Sequence, residues 1–153
     1  MATSRRADAL ARRLEEAAAR LIGVIETIDD DRWRLVRQPG EWSISKDAEH
    51  VVEAAKYHQW IVRLTIGENV PKRKPVLERR QMTSEMSPGQ AIEVLRQRTD
   101  DGARLLRNLT DDHLDRETRP SRANGQLLAE TIEQVLIGHH DGHRADIEAK
   151  LQA

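Results

Sequence analysis

The apolar residues of this chain fall in four narrow stripes at helical spacing, and that pattern restricts the fold more than any other feature. Leu10, Leu14, Ala17, Leu21, Ile25 and Ile28 recur at steps of three or four, with Arg and Glu between them, which predicts a first helix over residues 4–28. The acidic run at 29–31 ends it, and Pro39-Gly40 marks a turn. Ser43 or Ser45 can cap a second helix over 45–66, whose stripe is Asp47, His50, Ala54, Tyr57, Ile61 and Leu64, with Gly67 closing it. Ser87-Pro88 opens a third over 88–109, with Ile92, Leu95, Thr99, Gly102, Leu106 and Leu109 inward. Leu128, Ile132, Leu136, His139, His143, Ile147 and Leu151 define a fourth over 125–152. A narrow stripe buries one face of each helix, so the expected fold is all-α, a four-helix bundle in a single domain spanning 1–153.

The core has to be built from Leu, Ile, Val and Ala, because the chain has no Phe, one Tyr and three Trp. Trp33 and Trp42 lie in the first connection and are expected to plug one end of the bundle. The connection between helices two and three is on the order of 20 residues, far longer than antiparallel neighbours need. Extended, it could cover roughly 60 Å, whereas a 22-residue helix is about 33 Å long. It can therefore run back along the bundle and start helix three parallel to helix two. Its Lys72-Arg73-Lys74 and Arg79-Arg80 clusters read as solvated surface.

Several function classes are disfavoured at once. With 25 basic and 26 acidic residues interspersed, the net charge of −1 gives no electrostatic reason for nucleic-acid or membrane binding. There is no 18-residue apolar run, and the first residues alternate charge with alanine, so a cytoplasmic protein is expected. The absence of cysteine removes disulfides, thiolate ligands and a cysteine nucleophile. The modest hydrophobic content demands no partner, and is compatible with a homodimer, the commonest closed assembly.

Two histidines one turn apart on the otherwise apolar stripe of helix four need a partner, because an unsatisfied buried polar group costs about 1–3 kcal/mol. A metal ion can satisfy both, and His50 on the stripe of helix two can meet His139 and His143 across the core. Three imidazoles with a position left open are the donor set of a catalytic site. The competing reading is packed histidines held by carboxylates such as Asp47 or Asp146. Those two acids can serve as pair partners, as groups that orient a ligand, or as a fourth ligand. His140 should point about 100° away onto the bundle flank. His58 lies too far along for the same ion and could line a pocket, and His113 falls in an acidic loop at the surface.

Trp42-Ser43-Ile44 leading a helix into His50, and the terminal His139-x3-His143-Arg144, resemble the DinB/YfiT-like superfamily over nearly the whole chain. The resemblance implies a bundle in up-down-down-up order, with a long crossover between helices 2 and 3. It also implies a divalent metal, usually nickel or zinc, on His50, His139 and His143. Relatives of this kind include S-transferases and isomerases that use mycothiol, bacillithiol or glutathione, and many members have no assigned activity. The chain departs from the family's Arg-Gly-Gln-Ile at Arg144-Ala145-Asp146-Ile147, which adds a carboxylate beside the site. The leading expectation is a metal-dependent enzyme acting on a small-molecule substrate with a low-molecular-weight thiol as cosubstrate. Asp47 and Asp146 are then the candidate proton acceptors. A metal-dependent hydrolase, a non-catalytic stress-associated ligand-binding bundle and a purely structural domain are the alternatives.

Overall fold

The computed structural model describes residues 4–72, 81–120 and 125–153. Over these the regular elements are all helices, apart from an isolated bridge between Glu117 and Leu127. Each long helix before the last begins where a hydroxyl can take an amide proton that the first turn leaves open. Ser4 accepts from Ala7 at the start of α1 (Arg5–Ile25), after which Asp29 caps the one-turn α2 (Asp30–Trp33). Ser43 accepts from Lys46 at the head of α3 (Ile44–Thr65). Ser87 and Gln90 form a reciprocal capping box on α4 (Pro88–Arg107), with Pro88 at a position that needs no N–H. The one-turn α5 (Asp111–Leu114) follows, then α6 (Leu128–Thr131), a π-helical segment (Ile132–Ile137) and α7 (Gly138–Gln152).

The first three expected helices are present to within a few residues. Two connections contain single helical turns that the sequence pattern does not announce, α2 and α5. The fourth expected helix is not continuous: it changes from α to π and back before the histidine pair. Arg73, Lys74, Arg79 and Arg80 of the basic linker lie outside the described residues. No helix among the described residues is long and apolar enough to cross a membrane.

α1 and α3 each pack against both α4 and α7. One apolar cluster gathers Leu14, Leu106, Leu109, Leu128 and Ile132, and a second gathers Leu21, Ile25, Trp33, Val51, Leu95 and Ile147. Full burial of a side chain of this size contributes about 1.5–3 kcal/mol, so these clusters hold the helices together. Polar contacts fix which stretches lie side by side. Arg107 pairs with Asp8 and Glu15, and Arg96 with Glu26, between α4 and α1. Arg13 meets Glu133, and Arg20 meets Asp141, between α1 and the last helical stretch. Gln59 of α3 donates to the Arg98 carbonyl of α4 at 2.9 Å. At Gly102 a Cβ would stand 3.0 Å from Leu14 Cδ2 and 3.2 Å from Gln59 Nε2, so glycine is what lets three helices close at this level.

The segment before α4 is tied onto the start of α3, and this tie positions the site. The hydroxyls of Ser43 and Ser45 lie 2.7 Å apart, and Ser45 accepts the Ser84 N–H at 3.1 Å. The Ser43 N–H donates to the Met82 carbonyl at 2.8 Å. Trp33, fully buried, donates its indole N–H to the Met86 carbonyl at 2.7 Å. Arg34 donates to the carbonyls of Ser84 and Glu85. Trp33 therefore closes an end of the core as expected, whereas Trp42 is half-buried and turned to His50.

Candidate metal centre

His50 stands in the second turn of α3, and His139 and His143 stand one turn apart on α7. The three rings converge: centroids are 4.9 Å apart for His50 and His139, 5.0 Å for His50 and His143, and 4.5 Å for the α7 pair. One nitrogen from each ring lies within 4.8 Å of the others, and all three side chains are half-buried. Trp42 presents its ring to His50 at 5.2 Å in an edge contact, covering one side of the cluster.

Burial, reinforced by the neighbouring imidazoles, pushes His139 down to about 3 and keeps it neutral. Burial, and then His143, lowers His50 as well. Neutral imidazole is the form that ligates a metal. The buried Nδ1 of His139 has no hydrogen-bond partner among the described residues, although such atoms are normally satisfied. Two neutral rings, a third beside them and an orphaned nitrogen fit a divalent transition ion.

The expected carboxylates sit differently. Asp47 is buried under the cluster, its Oδ1 accepting the Nδ1–H of His143 at 3.1 Å, and its Oδ2 contacts the Lys150 ammonium. That leaves Nε2 as the His143 nitrogen available to an ion, and the carboxylate holds the ring's orientation and tautomer. Asp146 is exposed, with a carboxylate oxygen within 4.8 Å of a His143 nitrogen and an Asp47 oxygen. Arg144, which follows the histidine pair, is engaged along its own helix with Asp141 and Glu148.

The remaining histidines divide. His58 is buried, its ring 5.2 Å from His139, and it is outside the three-nitrogen group. His140 is not on a flank: it is buried, lowered by desolvation, and donates Nδ1–H to the Leu136 carbonyl at 2.9 Å. His113 is half-buried, its Nδ1 accepting the Thr110 N–H in the cap of α5. The sequence pattern does not single out Lys150. Its signal is position, seven residues after His143 and hence two turns on along the same face.

No curated protein matches this sequence. A family model described as the DinB superfamily matches residues 13–147, which include most of α1, all of α3 and α4, the π segment and all three converging histidines, and the chain belongs to that superfamily.

Proposed function

We propose that the protein is a divalent-metal-dependent enzyme whose ligands are His50, His139 and His143, and that it transfers a low-molecular-weight thiol to a small electrophilic substrate. The observation that carries this reading is the convergence of three imidazoles from α3 and α7, with His139 and His50 held neutral by burial. Bound zinc or nickel would supply Lewis acidity, making a nucleophile available at neutral pH. The sulfur must come from a cosubstrate, since the chain has no cysteine. The bundle order we assign is up-down-down-up. It is supported by the pairing of Asp8 with Arg107 and Glu26 with Arg96, and of Arg13 with Glu133 and Arg20 with Asp141. The start of α3 beside Ser84 and its Gln59 beside Arg98 agree with it.

The chain's own groups take separate parts. Asp47 fixes His143 through Nδ1. Trp42 shields the His50 side from water. Asp146, exposed at the edge of the cluster, is placed to accept the proton of an incoming thiol. The same carboxylate would serve an incoming water equally well, which is the observation that favours a metal-dependent hydrolase as the second reading.

Elemental analysis of the purified protein, beside His50→Ala and His143→Ala, tests the ligand set. About one equivalent of a transition metal in the parent, lost in both variants, is the expected result. Thiol transfer is then assayed with glutathione, mycothiol and bacillithiol, and ester or amide hydrolysis without thiol. Turnover only in the thiol-free assay would replace the transferase reading with the hydrolase one.

A further inference from the structure

We infer that Lys150 is a positioning residue of the histidine centre, acting through Asp47. The inference rests on the three-histidine reading above and concerns what holds that set in place. Asp47 reaches the cluster from the first turn of α3, and its side chain is only 4% exposed. A carboxylate so buried is costly unless its charge is matched and its oxygens are bonded. Two side chains of α7, seven residues apart, share that role, with His143 bonding Oδ1 and the Lys150 ammonium contacting Oδ2.

The division has a consequence for the ion. His143 gives Asp47 a hydrogen bond through Nδ1, and the fixed cation in contact with its other oxygen is Lys150, so without Lys150 Oδ2 would have to seek a cation elsewhere. Asp47, His143 and Asp146 offer ligand atoms within 4.8 Å of one another, and would read as a second cation site. Lys150 already places a positive charge on that group. With Oδ2 engaged, Asp47 stays at Nδ1 of His143, and Nε2 stays directed at His50 and His139. A plain interhelical salt bridge predicts loss of stability on removing Lys150 and nothing specific to the metal. A positioning role predicts loss of metal affinity that passes through Asp47.

The test is zinc affinity, measured by competition with a chromophoric chelator, for the full chain and for Lys150→Met, Asp47→Ala, the double variant and Lys150→Arg. Metal-free melting curves serve as the folding control. Lys150→Met is expected to bind zinc ~10-fold more weakly, the lower end of what the outer partners of metal-binding histidines contribute. Asp47→Ala should lose at least as much, the double variant no more than Asp47→Ala, and Lys150→Arg should recover most of the affinity. In the zinc-loaded protein, the His143 Nδ1–H proton seen by nitrogen-correlated NMR should exchange faster in Lys150→Met. If Lys150→Met does not fold, Lys150→Gln carries the same expectation. Zinc binding by the charge-removing variant as tight as the parent's, or losses that add in the double variant, would overturn the inference. A parent chain that binds no zinc overturns instead the three-histidine reading on which it rests.

Discussion

Replacing His139 with leucine should reverse sign with the metal, and this separates a metal centre from a packed polar core. In the metal-free chain the buried Nδ1 of His139 has no hydrogen-bond partner among the described residues. Leaving such a group unmet costs about 1–3 kcal/mol, and leucine removes it. The change of shape, a branched chain in place of a flat ring packed on His50, His58 and His143, gives back up to about 1.5 kcal/mol. A net gain of about 1 kcal/mol raises Tm by about 2–4 °C for a chain of this size. Zinc at a hundredfold its Kd stabilises the parent by about 2.7 kcal/mol, or roughly 5–11 °C on the same scale. The variant, lacking a ligand, should barely respond. Melting curves in chelator and in zinc should therefore cross, with His139→Leu higher in the first and the parent higher in the second. A parent curve that zinc does not move would refute the site. A variant that melts lower in chelator would refute the argument that the orphaned nitrogen is a burden there.

Acid should destabilise the metal-free protein. His50, His139 and His140 are all held below the ordinary histidine value of 6.5, His139 to about 3, with burial the largest cause in each. The unfolded chain therefore takes up protons that the folded chain refuses. Stability is full above pH ~6.5 and falls as pH drops toward the folded values, and urea titrations between pH 7.5 and 5 should show it; a flat profile would contradict the burial. Ser87→Ala removes the hydroxyl that accepts the Gln90 N–H and should cost about 1 kcal/mol, read as a fall of about 2–4 °C in Tm with metal binding unchanged. Gly102→Ala gains about 0.8–1 kcal/mol of helix propensity but drives a methyl against Leu14 and Gln59, at a cost of about 1–3 kcal/mol. A net loss of about 1 kcal/mol in urea unfolding is expected, and a more stable variant would show that the three helices can give way there.

The helices are legible in the sequence because spacing and caps agree. Leu10 through Ile25, and Leu95 through Leu109, are apolar at helical intervals and prove buried on one face. Ser43 and Ser87 sit where a hydroxyl is most useful, and each does cap its helix. The three histidines are legible for the converse reason, as polar residues where the period asks for leucine. What local pattern does not give are pairings made by tertiary contact. Ser45 bonds the Ser84 N–H across 39 residues, and Lys150 meets Asp47 across 103. Periodicity alone puts His140 on the flank, because an adjacent residue on a straight helix turns away. Its burial is offset by the Leu136 carbonyl, which accepts its Nδ1–H, a local bond that periodicity does not encode.

The π segment accounts for the largest departure from the sequence reading, and bears directly on the site. A continuous α-helix would carry the stripe from Leu136 through His139 and His143 to Ile147. One residue inserted in a turn rotates everything beyond it by roughly 100°. Beyond Ile132–Ile137 the buried positions are His140 and Ile147, while His139 and His143 stand half-buried beside that line. Ile147 keeps its place in the expected stripe, His140 joins it in the core, and the histidine pair faces His50 on α3. Gly138 ends the segment, where a Cβ would already be 3.3 Å from the Glu133 carbonyl oxygen, and nothing there breaks the helix as proline would. π turns are rare, occur mostly as single-turn bulges inside α-helices, and are frequent at functional sites. A segment of this kind, ending two residues before His139, is consistent with a helix wound to serve the histidines.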